Sequence, residues 1–306
     1  MALGKKAEEA ESQEIHHRAL GLGKATRWNI QRISLKQIAV VSLIVVLAAV
    51  MMLPFFWMIT TALKTNNAVY QLPPQFIPTS FDLSNFSNGM RAVHFVRLFI
   101  NTAIIAALST VGSVLSSMWV GYGLSRIRFP GRRIWFYIFV GSMMLPGIVG
   151  LLPLFRLYDS IGWYNTWLPL IVPAWFGNPF FIFLARQFYL TIPRSYDEAA
   201  KLDGAGHFTI LWRIMVPLTR PVWITMAIFA FQGAWNDYLQ PLVYLYSQSK
   251  WTLSLGMASF SGIYNTPWNE FMATDLIYML PPLIIFFVAQ RYFMEGLGSL
   301  GGGSLR

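Results

Sequence analysis

The sequence predicts an all-α membrane protein with six transmembrane helices, and three observations carry that prediction. Hydrophobic residues make up 55% of the 306 and charged residues only 12%, with a mean hydropathy of +0.49; soluble chains carry about 25% charged residues. Charge-poor windows long enough to cross a bilayer recur along the chain. The lysines and arginines gather on alternate sides of those windows. A net charge of +10 could otherwise point to nucleic acid, but in a membrane chain the placement of basic residues matters more than their sum, and no nucleic-acid partner is expected. The chain has no cysteine, which excludes disulfides and thiolate metal sites.

A hydrocarbon core about 30 Å thick needs roughly 20 apolar residues in a helix. Windows without charge fall at residues 37–63, 98–125, 134–155 and 160–185. A fifth runs from Pro221 to Asn236 and is expected to continue past Asp237 to Ser249. A sixth covers 276–290 and can extend back through Phe271. The polar opening stretch KKAEEAESQEIHHR precedes the first window, which is too long for the apolar region of a cleavable signal and reads as a retained anchor. Of the 23 basic residues, 18 lie on the side of the N-terminus and five on the other: Lys64, Arg91, Arg97, Arg156 and Lys250. This bias predicts that both termini are cytosolic. The expected organisation is a cytosolic tail (1–36), a first span with its outer loop (37–97), a five-helix core (98–291) and a second cytosolic tail (292–306).

Between the fourth and fifth spans, residues 186–221 are polar yet carry order signals. Ser195 and Glu198 have the spacing of a capping box, and Asp197 and Glu198 would sit at the positive end of a helix dipole. A short helix is expected from about Tyr196, ended by Gly204 or Gly206. A second amphipathic stretch, FTILWRIMV, is expected to stop at Pro217. On these signals alone the segment reads either as an interfacial elbow or as a docking surface.

The residue pattern adds to this. Glu198-Ala199-Ala200, Asp203-Gly204, Ile214 and Val216-Pro217 stand at the spacing of the EAA loop (194–221), and the segment resembles that loop of ABC importer permeases. The stretches GYGLSRIRFPG, MLPGIVGLLPLFRLYDSIGWYNT, WNDYLQPL and QRYFMEGL are similar to maltose-type sugar permeases, closest to the shorter, six-span subunit. The similarity runs from about Leu35 to Leu297. The resemblance implies a type I importer permease bundle in an inner membrane of a prokaryote. It also implies coupling helices, carried by Glu198, Ala199, Ala200, Asp203, Gly204, Ile214 and Pro217, that dock on a separate ATPase. Further implied partners are a second homologous permease, two ATPase subunits per complex and an extracytoplasmic solute-binding protein. Two departures stand out: Val216 replaces the family's usual leucine, and the end, GLGSLGGGSLR, differs from the family's G-x-V-K-G-like tail.

The chain is not expected to be an enzyme. It has no G-x-x-x-x-G-K-[ST] phosphate loop and no G-x-S-x-G elbow, and its four histidines lack metal-ligand spacing. No cofactor is expected on this chain; ATP and Mg would belong to the partner ATPase. Asp237, the acid of the fifth predicted span, reads either as an interfacial acid or, with Trp235, Asn236 and Tyr238, as a pathway or docking contact. The outer stretch 259–270, with Gly262, Tyr264 and Asn265, reads as a plain loop or as the contact for the binding protein. The solute expected from the resemblance is a sugar or oligosaccharide. Glycerol phosphate or an acidic polysaccharide is the alternative, and a secondary transporter is disfavoured by the lack of midplane carboxylates.

Overall fold

A computed structural model describes residues 35–260 and 266–300, with side chains for 36–260 and 266–290. It divides into two compact units, Met1–Pro54 and Phe55–Arg306. The described part of the first is the opening of helix α1 (Leu35–Ala62), whose best window has a mean hydropathy of 2.8. Its side chains over residues 36–56 are exposed around the whole helix circumference, as suits a helix solvated by lipid.

The second unit is built around α3 (Phe95–Arg126), which follows the short α2 (Ser84–Ala92). Its 32 residues span about 48 Å at 1.5 Å per residue, more than the hydrocarbon core. Small residues let other backbones come close, which is how helices associate where lipid removes the hydrophobic drive. A Cβ on Gly121 would stand 2.8 Å from that of Ala185, and one on Gly112 would meet the Trp175 ring. Ser109 donates to the Leu170 carbonyl (3.0 Å), and Ser117 accepts from the Asn178 N–H (3.0 Å). These contacts hold the span Leu168–Thr191 against α3. Its regular part is α6 (Pro179–Thr191), with Asn178 capping two N–H groups and Pro179 at the first turn.

The third predicted window is a broken span. Helices α4 (Arg132–Ser142) and α5 (Leu151–Ser160) flank a break at 143–146, and the two arms meet at 95°. Pro146 explains it: its ring excludes helical geometry from the preceding residue and removes a donor. The fourth span is shifted from 160–185 to Leu168–Thr191, because residues 161–167 form turns around Gly162 at φ +75°.

Three expectations for the next segment need correction. Helix α7 (Ser195–Leu202) starts with Ser195 already helical and its N-cap at Arg194, with no side-chain cap, so the Ser195–Glu198 capping box is not formed. Helix α8 (His207–Leu218) continues through Pro217 and ends at Thr219. A π-turn over Leu211–Met215 ends two residues before that proline, and its wider register accommodates a residue that cannot donate. Helix α9 (Arg220–Trp235) then departs at 84° and ends at Trp235; Asp237 lies beyond it, before the short α10 (Leu239–Tyr244). The fifth span therefore does not run on to Ser249.

The unit closes with α11 (Leu253–Ala258), α12 (Trp268–Tyr278) and α13 (Leu280–Leu300). Helix α9 packs on α3 and α13, and α12 packs on α2. Four helices are long and apolar enough to cross a membrane, and the count rises to six if each of the two bent pairs is one span; all are helical among the described residues. Two apolar cores stack along α3. One, at the Arg126 end, gathers Tyr122, Tyr189, Ile210 and Met215; the other, at the Phe95 end, gathers Leu98, Trp235, Leu253 and Met257.

Candidate coupling surface and solute cavity

Helix α7 ends in a Schellman cap. Asp203 is the last half-helical residue, Gly204 takes φ +79°, and its N–H donates to the Lys201 carbonyl (3.0 Å). The Ala205 N–H reaches back to the Ala200 carbonyl (2.9 Å), and both alanines join the apolar core at this end of the bundle. The Asp-Gly-Ala sequence is thus the chemistry of a tight helix stop, with glycine where an L side chain is strained.

The cap splits the expected site residues into two sets. Ala200 is buried and Ile214 is half-buried against the core, so they position the loop. Glu198, Ala199, Asp203, Gly204 and Pro217 face outward. Three apolar residues that the sequence reading passed over stand among them: Tyr196, Leu202 and Phe208, which are 50%, 89% and 68% exposed. Phe208 also packs edge-on against Trp119 of α3, while Tyr196 and Leu202 stand on the polar helix α7. The signal for this set in the sequence was an unpaired Leu202 in a polar helix.

The loop is anchored to α3. The Arg126 guanidinium pairs with the Asp197 carboxylate at 3.0 Å and donates to the carbonyls of Tyr189 and Ile192 at 2.5 and 2.7 Å. One turn earlier, the Tyr122 hydroxyl meets His207 Nδ1 at 3.1 Å.

A second feature lies between α3, the turn before α6, α9 and α10. It is a cavity of about 270 Å³ whose polar lining is Ser109, Ser113, Asn178, Asp237, Gln240 and Thr252. Phe181 and Phe229 are among its apolar wall residues. Asp237 is its one titratable residue; burial pushes that carboxyl above the usual range, and the N–H groups of Gln240 and Leu239 draw it back. The cavity can hold a small polyhydroxylated group: hydroxyls, amides and a carboxylate offer donors and acceptors, and apolar faces pack on carbon.

Of the four residues expected here, Asp237 alone lines this cavity. Trp235 is 1% exposed, stacks on Phe231 and donates to the Tyr278 carbonyl (3.3 Å), so it is core. Asn236 accepts from the Tyr278 hydroxyl (3.0 Å), and Tyr238 is exposed outside the cavity. Ser109, Ser113, Asn178 and Gln240 were missed, since isolated serines and amides in apolar helices carry no spacing signal. Gly262, Tyr264 and Asn265 lie outside the described residues. A larger, open groove of about 870 Å³ near the start of α3 carries Arg91, His94 and Arg97. Among the described residues, no cluster of His, Asp or Glu could hold a metal ion.

Several bilayer-length helices, broken spans and a polar cavity between the helices are the architecture of a polytopic helical membrane protein. The profile of the family described as "Binding-protein-dependent transport system inner membrane component" matches residues 112–298, and the chain belongs to that family. It is 32% identical over 251 residues to the probable ABC transporter permease protein YurM of Bacillus subtilis (strain 168), covering 80% of this chain and 82% of that one. It is 30% identical over 275 residues to the arabinooligosaccharides transport system permease protein AraQ of the same organism, covering 88% and 96%. With the diacetylchitobiose uptake system permease protein NgcG of Streptomyces coelicolor it shares 28% over 268 residues, 87% of each chain. A solved bacterial ABC transporter that imports the acidic polysaccharide alginate contains a chain of the same fold, with a TM-score of 0.76 at 24% identity, covering 84% of this chain and 95% of that one. The protein is thus an inner-membrane permease component of a binding-protein-dependent ABC importer.

Proposed function

We propose that this permease passes a neutral sugar or oligosaccharide inward by alternating access, driven by an ATPase that docks on α7 and α8. The observation that carries the solute class is the cavity: its polar lining is hydroxyl, amide and one carboxylate, with no cation. Sugar hydroxyls pair with all of these groups, whereas a phosphate or uronate would meet Asp237 without compensation. The names of the arabinooligosaccharide and diacetylchitobiose relatives support the same class.

The docking reading is supported by the exposed apolar set Tyr196, Leu202 and Phe208 around the Gly204 turn. The distribution of basic residues supports a cytosolic position for this turn and both termini. A second permease subunit would supply the other half of the pathway, and a solute-binding protein would deliver to the opposite face. ATP, with Mg, stays on the docked ATPase. Closing of that ATPase moves α7 and α8, and the spans exchange inward- and outward-facing arrangements.

The test is purification of the tagged chain from its own membranes in mild detergent, followed by reconstitution with its binding protein. The expected result is co-purification of an ATPase and a second permease, and ATP-dependent uptake of neutral oligosaccharides from a panel that includes uronates and glycerol phosphate. Uptake confined to the anionic members refutes the solute class; a chain that purifies alone refutes the docking reading.

A further inference from the structure

Among the described residues, one ion pair is present, and it lies at a junction. Arg126 is the last residue of α3, and Asp197 is in the first turn of α7. Their side chains are 4% and 11% exposed. The same guanidinium holds two carbonyls at the end of α6, so a single group ties three elements together. The Tyr122–His207 contact adds a fourth, α8. Arginine suits this task because its planar fork sets several donors in fixed directions, which an ammonium does not.

The pair is poorly chosen as a source of stability. Arg126 Nε and Asp197 Oδ1 are buried with no partner among the described residues. A buried pair with unmet hydrogen-bond capacity gains little over apolar packing of the same volume. What it does supply is a fixed register between two helices. The other end of the argument lies on α3 itself, which also carries Ser109 and Ser113, two walls of the solute cavity. From Arg126 to Ser113 is about 20 Å along an unbroken helix at 1.5 Å per residue.

We infer that Arg126 is the positioning residue through which movement of α7 reaches the solute cavity, with Asp197 as its grip on the coupling helix. This rests on the reading of α7 and α8 as the ATPase-docking surface. When the docked ATPase displaces α7, the clasp carries the end of α3 with it, and the serines at the cavity move on the same rigid helix. The rest of the elbow can then serve docking alone.

The test uses the complete importer purified from its own membranes. The chain has no cysteine, so it is spin-labelled on its own at Gly123→Cys on α3 and Ser195→Cys on α7 before reassembly with the partner subunits; a Cβ at position 123 meets nothing within 4 Å, and Ser195 is exposed. The expected result is one label-to-label distance that stays unchanged between nucleotide-free and ATP-bound complexes. In Asp197→Asn the distance should shift on ATP binding. That complex should keep its ATPase and its ATP turnover, while solute moved per ATP falls about tenfold, within the range of coupling between linked sites. Asp197→Glu should restore part of the ratio, and Arg126→Lys should fall between the two. A native distance that changes with ATP, or an unchanged transport-to-ATP ratio in Asp197→Asn, overturns the inference. So does loss of the ATPase from Asp197→Asn, which would place the pair in docking. If Asp197→Asn does not fold, the native distance and the Arg126→Lys ratio still decide. A native complex that carries no ATPase defeats the docking reading itself and is seen before any variant is measured.

Discussion

Substituting Gly204 separates what the turn needs from what a partner needs. At φ +79° the position is left-handed, which costs an ordinary L residue about 1–2 kcal/mol and asparagine or aspartate less. A Cβ there meets no atom of the chain within 4 Å, so no steric term adds to the strain. Folding alone therefore ranks the variants with Gly204→Ala worst and Gly204→Asn and Gly204→Asp milder and similar. A partner lying against the turn imposes a different order, because bulk and then charge are excluded: Ala mildest, then Asn, then Asp. The assay is paired. Thermal unfolding of the purified chain in detergent reads the first order, and recovery of the ATPase with the tagged chain reads the second. Gly204→Asp should insert and unfold close to native yet retain less than about a tenth of the ATPase, a loss of at least about 1.4 kcal/mol of docking energy. Transport should be abolished with it. If ATPase recovery follows the melting order, or if Gly204→Asp recovers as much as Gly204→Asn, the partner does not contact this turn and the reasoning fails.

Three further perturbations test other parts of the structure. Gly121→Ala places a Cβ 2.8 Å from Ala185 and should lower stability in detergent by about 1–3 kcal/mol through overpacking, while Gly123→Ala, in open space, should be neutral or slightly stabilising; equal melting of the two would contradict the α3–α6 approach. Asn85→Ala removes donations to the Ala62 and Lys64 carbonyls (2.9 and 2.8 Å) and the acceptor of Asn269; it should cost about 1–3 kcal/mol, read as an earlier thermal transition, and an unshifted transition would remove this network from the account. Asp237→Asn keeps the cap on the Gln240 N–H (3.2 Å) and should leave neutral-sugar uptake intact while admitting anionic competitors, whereas Asp237→Ala should also lose about 1 kcal/mol of capping; competition by uronates that is identical in native and Asp237→Asn importers would exclude Asp237 from selectivity.

The candidate crossings were legible because a bilayer demands length and apolarity, and both are additive along a chain. Direction is not additive. A charge-free window over 134–155 reports transfer energy and is blind to the 95° bend at Pro146, although the proline itself was in plain view. The end of the fifth span was misplaced for a related reason: Asn236 and Asp237 terminate α9 through backbone demands that an average over the following apolar residues conceals. At the elbow, the Ser195–Glu198 spacing pointed to a helix start that is real within a residue, while the chemistry assigned to it was wrong. The first turn is instead held by the Arg126–Asp197 clasp, a contact across 71 positions of sequence that no local pattern encodes.

The two candidate regions differ in the same way. The Gly204 turn is local: six consecutive residues close a Schellman cap, so a motif can carry it and a sequence can reveal it. The cavity is convergent, with polar groups from α3, the turn before α6, the turn after α9, α10 and the residue before α11, each unremarkable in its own segment. Trp235 illustrates the trap, since a tryptophan beside an amide and an acid has the composition of a sugar site but is spent on packing three aromatic neighbours. Conversely, Ser109 and Ser113 lie four apart, one turn on a single face of α3, and that face also leads to Arg126 through Ser117, Gly121 and Ser125. A stripe of small residues along one helix is required for close packing in lipid. Here the same stripe borders the polar cavity at one level and admits the α6 backbone at the next, so close packing and the cavity draw on the same residues of α3.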